Sequence, residues 1–136
     1  MKYSGNIQKM KTEVSDTVQY NLPIGDDIIH LNPLIGKNIC IRFLDKINCI
    51  NCSAETQKSF HQGYCYSCYV SVPQTDEGVL KPEKDQSHLG ISRDMEWAKQ
   101  NSLIDHIVYL SLTGDIKVGV TRHTQVPYRW IDQGAV

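Results

Sequence analysis

Cys49-Ile50-Asn51-Cys52 and Cys65-Tyr66-Ser67-Cys68 are two CxxC pairs with twelve residues between them. Zinc takes four tetrahedral ligands, and one CxxC turn delivers two thiolates from a single tight knuckle. Two knuckles brought together complete the set, so Cys49, Cys52, Cys65 and Cys68 are the expected ligands of one structural zinc. With all four positions filled by protein, no coordination site is left for catalysis. Reduced structural thiols, a thiol redox pair and an iron site share the same residues. A redox CxxC belongs between a strand and a helix of a βαβ unit, and neither pair is read in that setting. Zinc is the ordinary occupant of a closed thiolate site. The fifth cysteine, Cys40, lies between Ile39 and Ile41 and reads as a small buried hydrophobe.

A second region could bind a ligand. Ile107–Leu112 and Ile116–Val120 are β-branched runs around Thr113-Gly114-Asp115, a three-residue hairpin loop. That loop sets Leu112 against Ile116, Leu110 against Val118, Val108 against Val120 and Tyr109 against Gly119. Strand alternation then gathers Val108, Leu110, Leu112, Ile116, Val118 and Val120 on one face, expected to be the core face. The other face carries Tyr109, Ser111, Lys117, Gly119 and Thr121. Gly119 removes side-chain bulk opposite a phenol, which would let a ligand reach backbone and hydroxyl. A surface tyrosine covering a bare strand position has the same pattern.

Elements must hold these groups in place. Lys2–Val14 and Thr17–Ile24 read as a hairpin around Ser15-Asp16, with a break at Gly25-Asp26-Asp27. Ile39–Phe43 reads as a short strand. Glu55–Ser59 and Phe60–Gly63 supply the outward and returning arms between the knuckles, with Gly63 easing the approach to the second. Residues 73–104 turn polar and read as a linker or arm with one short helix around Trp97. Pro127 opens a last helix on which Tyr128, Ile131 and Ala135 fall at helical spacing. The expected class is α+β, an N-terminal antiparallel β region with a zinc ribbon followed by a β-hairpin and a helix. The expected organisation is 1–72, with the ribbon at about 46–70, then the arm at 73–104 and a second domain at 105–136.

Composition sets limits on function. The chain has 136 residues, 40% of them hydrophobic, with 14 Lys+Arg against 15 Asp+Glu and five cysteines. Zinc held by four thiolates would take the formal charge from −1 to about −3. A globally basic nucleic-acid binder is therefore excluded, and any such contact must come from a local patch. No apolar run approaches the roughly 18 residues of a membrane span, and Met1–Asn6 lacks the apolar stretch expected of a signal peptide. A cytoplasmic protein with reduced cysteines and no membrane contact is expected.

Ile107-Val108-Tyr109, then Lys117-Val118-Gly119-Val120-Thr121, then Arg129, resembles the pattern of the GIY-YIG nuclease superfamily. The whole chain resembles an uncharacterised prokaryotic family, a domain of unknown function grouped with that superfamily. The matching stretches are Tyr3–Asn6, Leu31–Lys37, Lys58–Tyr66 and Trp130–Ala135. The superfamily cleaves phosphodiesters with a tyrosine near the attacking water, an arginine on the phosphate and a helix-borne glutamate holding a divalent metal. The resemblance implies Tyr109 and Arg129 in the first two roles, with magnesium or manganese required for any cleavage. Lys117, Gly119, Thr121 and Arg122 would then meet the nucleic-acid backbone, joined by His123.

This chain departs from that pattern. Ile107 replaces the first motif's glycine, Lys117 replaces the second motif's tyrosine, and Arg129 lies farther from Gly119 than is usual. The resemblance implies a chain interrupted in its second domain, with no glutamate assignable before Val136 and Asp132 an exposed carboxylate. The resembling family also carries a second cysteine set, here aligned with Asp85, Ser92 and Leu103, so one metal site is expected. The expected function is a zinc protein that binds nucleic acid, with cleavage reserved for a longer chain. The alternative is a non-catalytic, zinc-stapled module that meets a protein partner.

Overall fold

A computed structural model describes residues 1–134, in which small antiparallel sheets alternate with short helices. They group into two compact units, Met1–Cys68 and Tyr69–Val136. Among the described residues no helix is long and apolar enough to cross a membrane.

In the first unit β1 (Lys11–Glu13), β2 (Gln19–Ile24) and β3 (Asp27–His30) form a three-stranded antiparallel sheet. The expected first hairpin is present, but its leading strand is only three residues long, and Lys2–Met10 contributes one isolated bridge, Ile7 to Ile24. Gly25-Asp26 is a turn rather than a break. Ile24 pairs with Asp27 across it, and Gly25 takes the left-handed conformation (φ 57°) that this reversal needs. The side chain of Asn32 fastens the sheet, accepting from Tyr20 N–H and donating to Val18 C=O at 2.8 Å each.

The expected strand Ile39–Phe43 does not form. These residues have the right alternation, but no neighbouring chain offers a ladder, and Ile39, Ile41 and Phe43 are all exposed. Cys40 is consequently exposed as well, not a buried hydrophobe. The ribbon follows, with β4 (Ile47–Asn48) paired antiparallel to β5 (Glu55–Thr56). The returning arm is not a strand. Phe60 bridges Tyr64 around His61-Gln62-Gly63, and α1 (Tyr66–Ser71) begins directly after Cys65.

The second unit opens on helical turns where a polar arm was expected. One-turn 3-10 helices at Pro73–Thr75, Pro82–Lys84 and Ser87–Leu89 accompany α2 (Glu77–Leu80) and α3 (Met95–Asn101). Aspartates cap them: Asp76 accepts from Gly78 N–H, and Asp94 accepts from Trp97 N–H at the N-terminus of α3. Arg93 ties the segment together, donating from Nη1 to Tyr69 C=O, Val72 C=O and the Thr75 hydroxyl.

The unit ends with β6 (His106–Thr113), β7 (Asp115–Arg122) and α4 (Tyr128–Asp132). The register is the one the loop dictates, with Thr113 opposite Asp115 around Gly114 and Tyr109 opposite Gly119. Its faces are inverted relative to expectation. Ser111 and Thr121 are buried, whereas Val108, Leu110, Leu112, Ile116, Val118 and Val120 are between 54% and 73% exposed. The reason lies in α4. Its Trp130 reaches Tyr109, with ring centroids 6.4 Å apart, and its Ile131 is buried. Small groups at 111, 119 and 121 leave room for a helix on the face that looks polar. Ala135, the last of the expected helical positions, lies outside the described residues.

Candidate functional site

The four cysteines of the two knuckles converge. Their Sγ atoms all lie within 4.8 Å of one another. Sulfurs about 2.3 Å from a tetrahedral metal stand roughly 3.8 Å apart, and Cys52 and Cys65 are separated by 3.8 Å. Among the described residues these cysteines form no disulfide. The donor set therefore fits one closed, four-thiolate metal.

Local backbone brings them there. Asn48 and Glu55 pair at the end of β4–β5, and Cys49 N–H bonds to Ala54 C=O at 2.9 Å, closing the first knuckle. Ser53 takes a left-handed conformation (φ 62°) and donates its N–H back to Cys49 C=O. The second knuckle is carried to the first by Ile50 N–H bonding to Gly63 C=O at 2.8 Å. Gly63 is required there: a Cβ would sit 2.6 Å from Ile50 Cγ2, and its φ of 140° disfavours side chains. Cys68 then enters from the first turn of α1.

Electrostatics separates the four thiols. Burial alone would raise Cys49, but N–H groups of Cys52, Cys65 and Asn51, with the Cys52 thiol, bring it down to about 6. At Cys68 the Asn51 amide, 3.3 Å from Sγ, favours the thiolate. Burial and the three neighbouring cysteine sulfurs outweigh it and push Cys68 up to about 12. Four thiolates this close repel one another, and a dication is what permits all four to ionise. Asn51 is not among the expected site residues, yet its side chain reaches the Cys68 sulfur. Its signal was an amide inside the first CxxC.

Aromatic residues surround the second knuckle. Tyr66 meets Phe60 edge-to-face at 5.4 Å, Tyr64 stacks on His61 at 6.5 Å, and Lys58 Nζ stands 5.1 Å from the Phe60 ring. His61 is exposed and no part of the sulfur cluster. α1 begins within the second CxxC, and among the described residues no βαβ unit encloses either pair.

The hairpin residues are partly assembled. The Tyr109 ring lies over Gly119, so that a Cβ at 119 would fall within it, 2.6 Å from the hydroxyl. Trp130 of α4 is placed against Tyr109, and its buried Nε1 has no hydrogen-bond partner among the described residues. Arg129 and Lys117 are exposed, whereas Thr121 is buried. Arg122 is engaged elsewhere, donating to Asn101 Oδ1 at 2.5 Å while its guanidinium lies 5.6 Å from the Trp97 ring centre. His123 Nδ1 faces Asp105 C=O at 3.2 Å. The segment aligned with a second cysteine set holds a hydrogen-bonded network instead. Asp85 accepts from the Ser87 N–H and hydroxyl, and shares a cavity of about 210 Å³ with Ser92.

Among known proteins, the family model described as protein of unknown function (DUF2797) matches residues 36–136, which takes in both CxxC pairs, the hairpin and α4. No curated protein and no solved structure matches the chain.

Proposed function

The chain belongs to the family described as protein of unknown function (DUF2797), and we propose that it is a structural-zinc protein that contacts nucleic acid without cleaving it. The convergence of four sulfurs within 4.8 Å carries the zinc reading. Cys49, Cys52, Cys65 and Cys68 would hold the ion, and the ion would fix the two knuckles that β4–β5 and α1 present. Sulfur is chosen for zinc over hard, oxygen-seeking cations.

The nucleic-acid reading rests on the GIY-YIG-like hairpin, with Tyr109 opposite Gly119 and exposed cations at Lys117 and Arg129. Thr121 and Arg122 support the hairpin in this reading rather than touching phosphate, since one is buried and the other bonded to Asn101. Cleavage would further need a magnesium or manganese ion held by a carboxylate. A non-catalytic protein-interaction module is the second reading, favoured by the exposed aliphatic face of the hairpin.

Metal analysis of protein purified without added metal is expected to return about one zinc per chain. A folded, metal-free protein would overturn the zinc assignment. Fluorescence anisotropy with labelled DNA and RNA over a salt series tests the rest. Binding that weakens with salt, and weakens uniformly in the Lys117→Ala/Arg129→Ala variant, supports nucleic-acid contact. No salt-dependent binding leaves the interaction module.

A further inference from the structure

The hairpin of the second unit buries its small and polar residues and turns six aliphatic ones outward. Val108·Val120, Leu110·Val118 and Leu112·Ile116 are directly opposed pairs, so the six form one continuous ladder. Each of them is more than half exposed. Soluble proteins seldom leave so contiguous an apolar patch in water. The other face of the hairpin is already taken by Trp130 and Ile131 of α4.

We propose that this aliphatic face is the interface of a homodimer, packed against the same face of a second copy. Three observations choose that occupant. First, the ladder carries no charge and no hydrogen-bonding side chain, so it offers nothing to a phosphate backbone or to a charged peptide. Second, the face is its own complement. Flat ladders of Val, Leu and Ile on twisted two-stranded sheets pack face to face, and a two-fold axis lets one surface serve both partners. Third, the size is right. Aliphatic side chains of this kind remove on the order of 100 Å² each, so six from each copy bury roughly 1,200 Å² in total. That is the lower end of the range of about 1,200–2,000 Å² in which specific, stable interfaces begin. The inference is independent of the proposed nucleic-acid contact through Tyr109, Lys117 and Arg129, none of which belongs to the six-residue ladder.

Sedimentation velocity on the zinc-loaded full chain tests it. The wild type is expected to sediment as a dimer at micromolar concentration. Leu110→Lys and Val118→Lys, which set a charge in the ladder, are expected to yield monomers that keep their zinc. Val118→Thr preserves shape and should retain the hairpin's circular dichroism while weakening association at least tenfold, about 1.4 kcal/mol. If the lysine variants unfold, the threonine variant decides. A monomeric wild type overturns the proposal, as does a dimer whose dissociation constant Val118→Thr leaves unchanged.

Discussion

The cysteine centre and the terminal hairpin are both short-range constructions, yet they are held in opposite ways. At the cysteine centre, four thiols spread over twenty residues are gathered within 4.8 Å, and two of the residues, Cys49 and Cys68, are buried. In the hairpin, neighbouring residues pair in register over sixteen positions, but the apolar side chains face outward. The first region gathers a donor set that a metal could hold, and on the zinc reading coordination chemistry dictates which atoms meet. The second is fixed by backbone pairing, which leaves open what covers each face.

The largest expected effect separates the two. If zinc is bound as proposed, chelating it, or replacing Cys49 and Cys68 by serine, is expected to remove on the order of 10 kcal/mol from the first region. Amide hydrogen exchange should then show residues 47–68 losing protection while β6–β7 keeps theirs. Equal loss in both regions would mean that the hairpin also depends on the metal.

Within the hairpin, Gly119 is the most sensitive position. A Cβ there overlaps the Tyr109 ring, so Gly119→Ala should cost about 1–3 kcal/mol by overpacking. The same substitution in a Tyr109→Ala background should cost less, because the obstructing ring is gone. Thermal melts of the four-member cycle measure the coupling. Additive costs would show that Tyr109 does not rest on Gly119.

These positions also mark what could be read from sequence. The clustering of the four cysteines was legible because each knuckle places its two thiols in four consecutive residues. The register was legible because a period of two and one loop glycine settle which residues oppose each other. The buried face was not, since α4 chooses it through Trp130 and Ile131, and the polar pattern of 111, 119 and 121 suggested solvent instead. Ile39–Phe43 had strand alternation without a partner strand. β3 was hidden because Gly25-Asp26 looked like an ending and is a two-residue reversal. The short helices of 73–89 have too few residues for periodicity, and their signals are proline at the first turn and Asp76 as a cap.

Arg122 tests whether a basic residue near the hairpin is structural. Losing its hydrogen bond to Asn101 and its place beside Trp97 should cost about 1–2 kcal/mol in Arg122→Ala. Lysine should not restore the stability, because it lacks the planar fork. Trp97 fluorescence is expected to shift in both variants. An unchanged melting temperature would return Arg122 to the pool of residues available to phosphate.

The smallest effect concerns acid. Burial disfavours the charged Asp85 carboxylate, but bonds from the Ser87 hydroxyl and N–H and from Ser102, with the charge of His88, hold its pKa below the ordinary value. A carboxyl depressed by folding contributes stability above its unfolded pKa, near 4, and loses that contribution as pH falls through the folded value. Asp85→Asn should therefore cost about 1 kcal/mol at neutral pH and almost nothing in strong acid. Zinc bound at the cysteine centre would be lost sooner, because protons compete with the metal for thiolate ligands. Acid titration followed by zinc release and by the Ser87 amide resonance, whose N–H bonds to Asp85, should give two separate transitions, zinc first. A single transition would mean that the network around Asp85 depends on the metal, and the contrast between a coordinated region and a hydrogen-bonded one would fail.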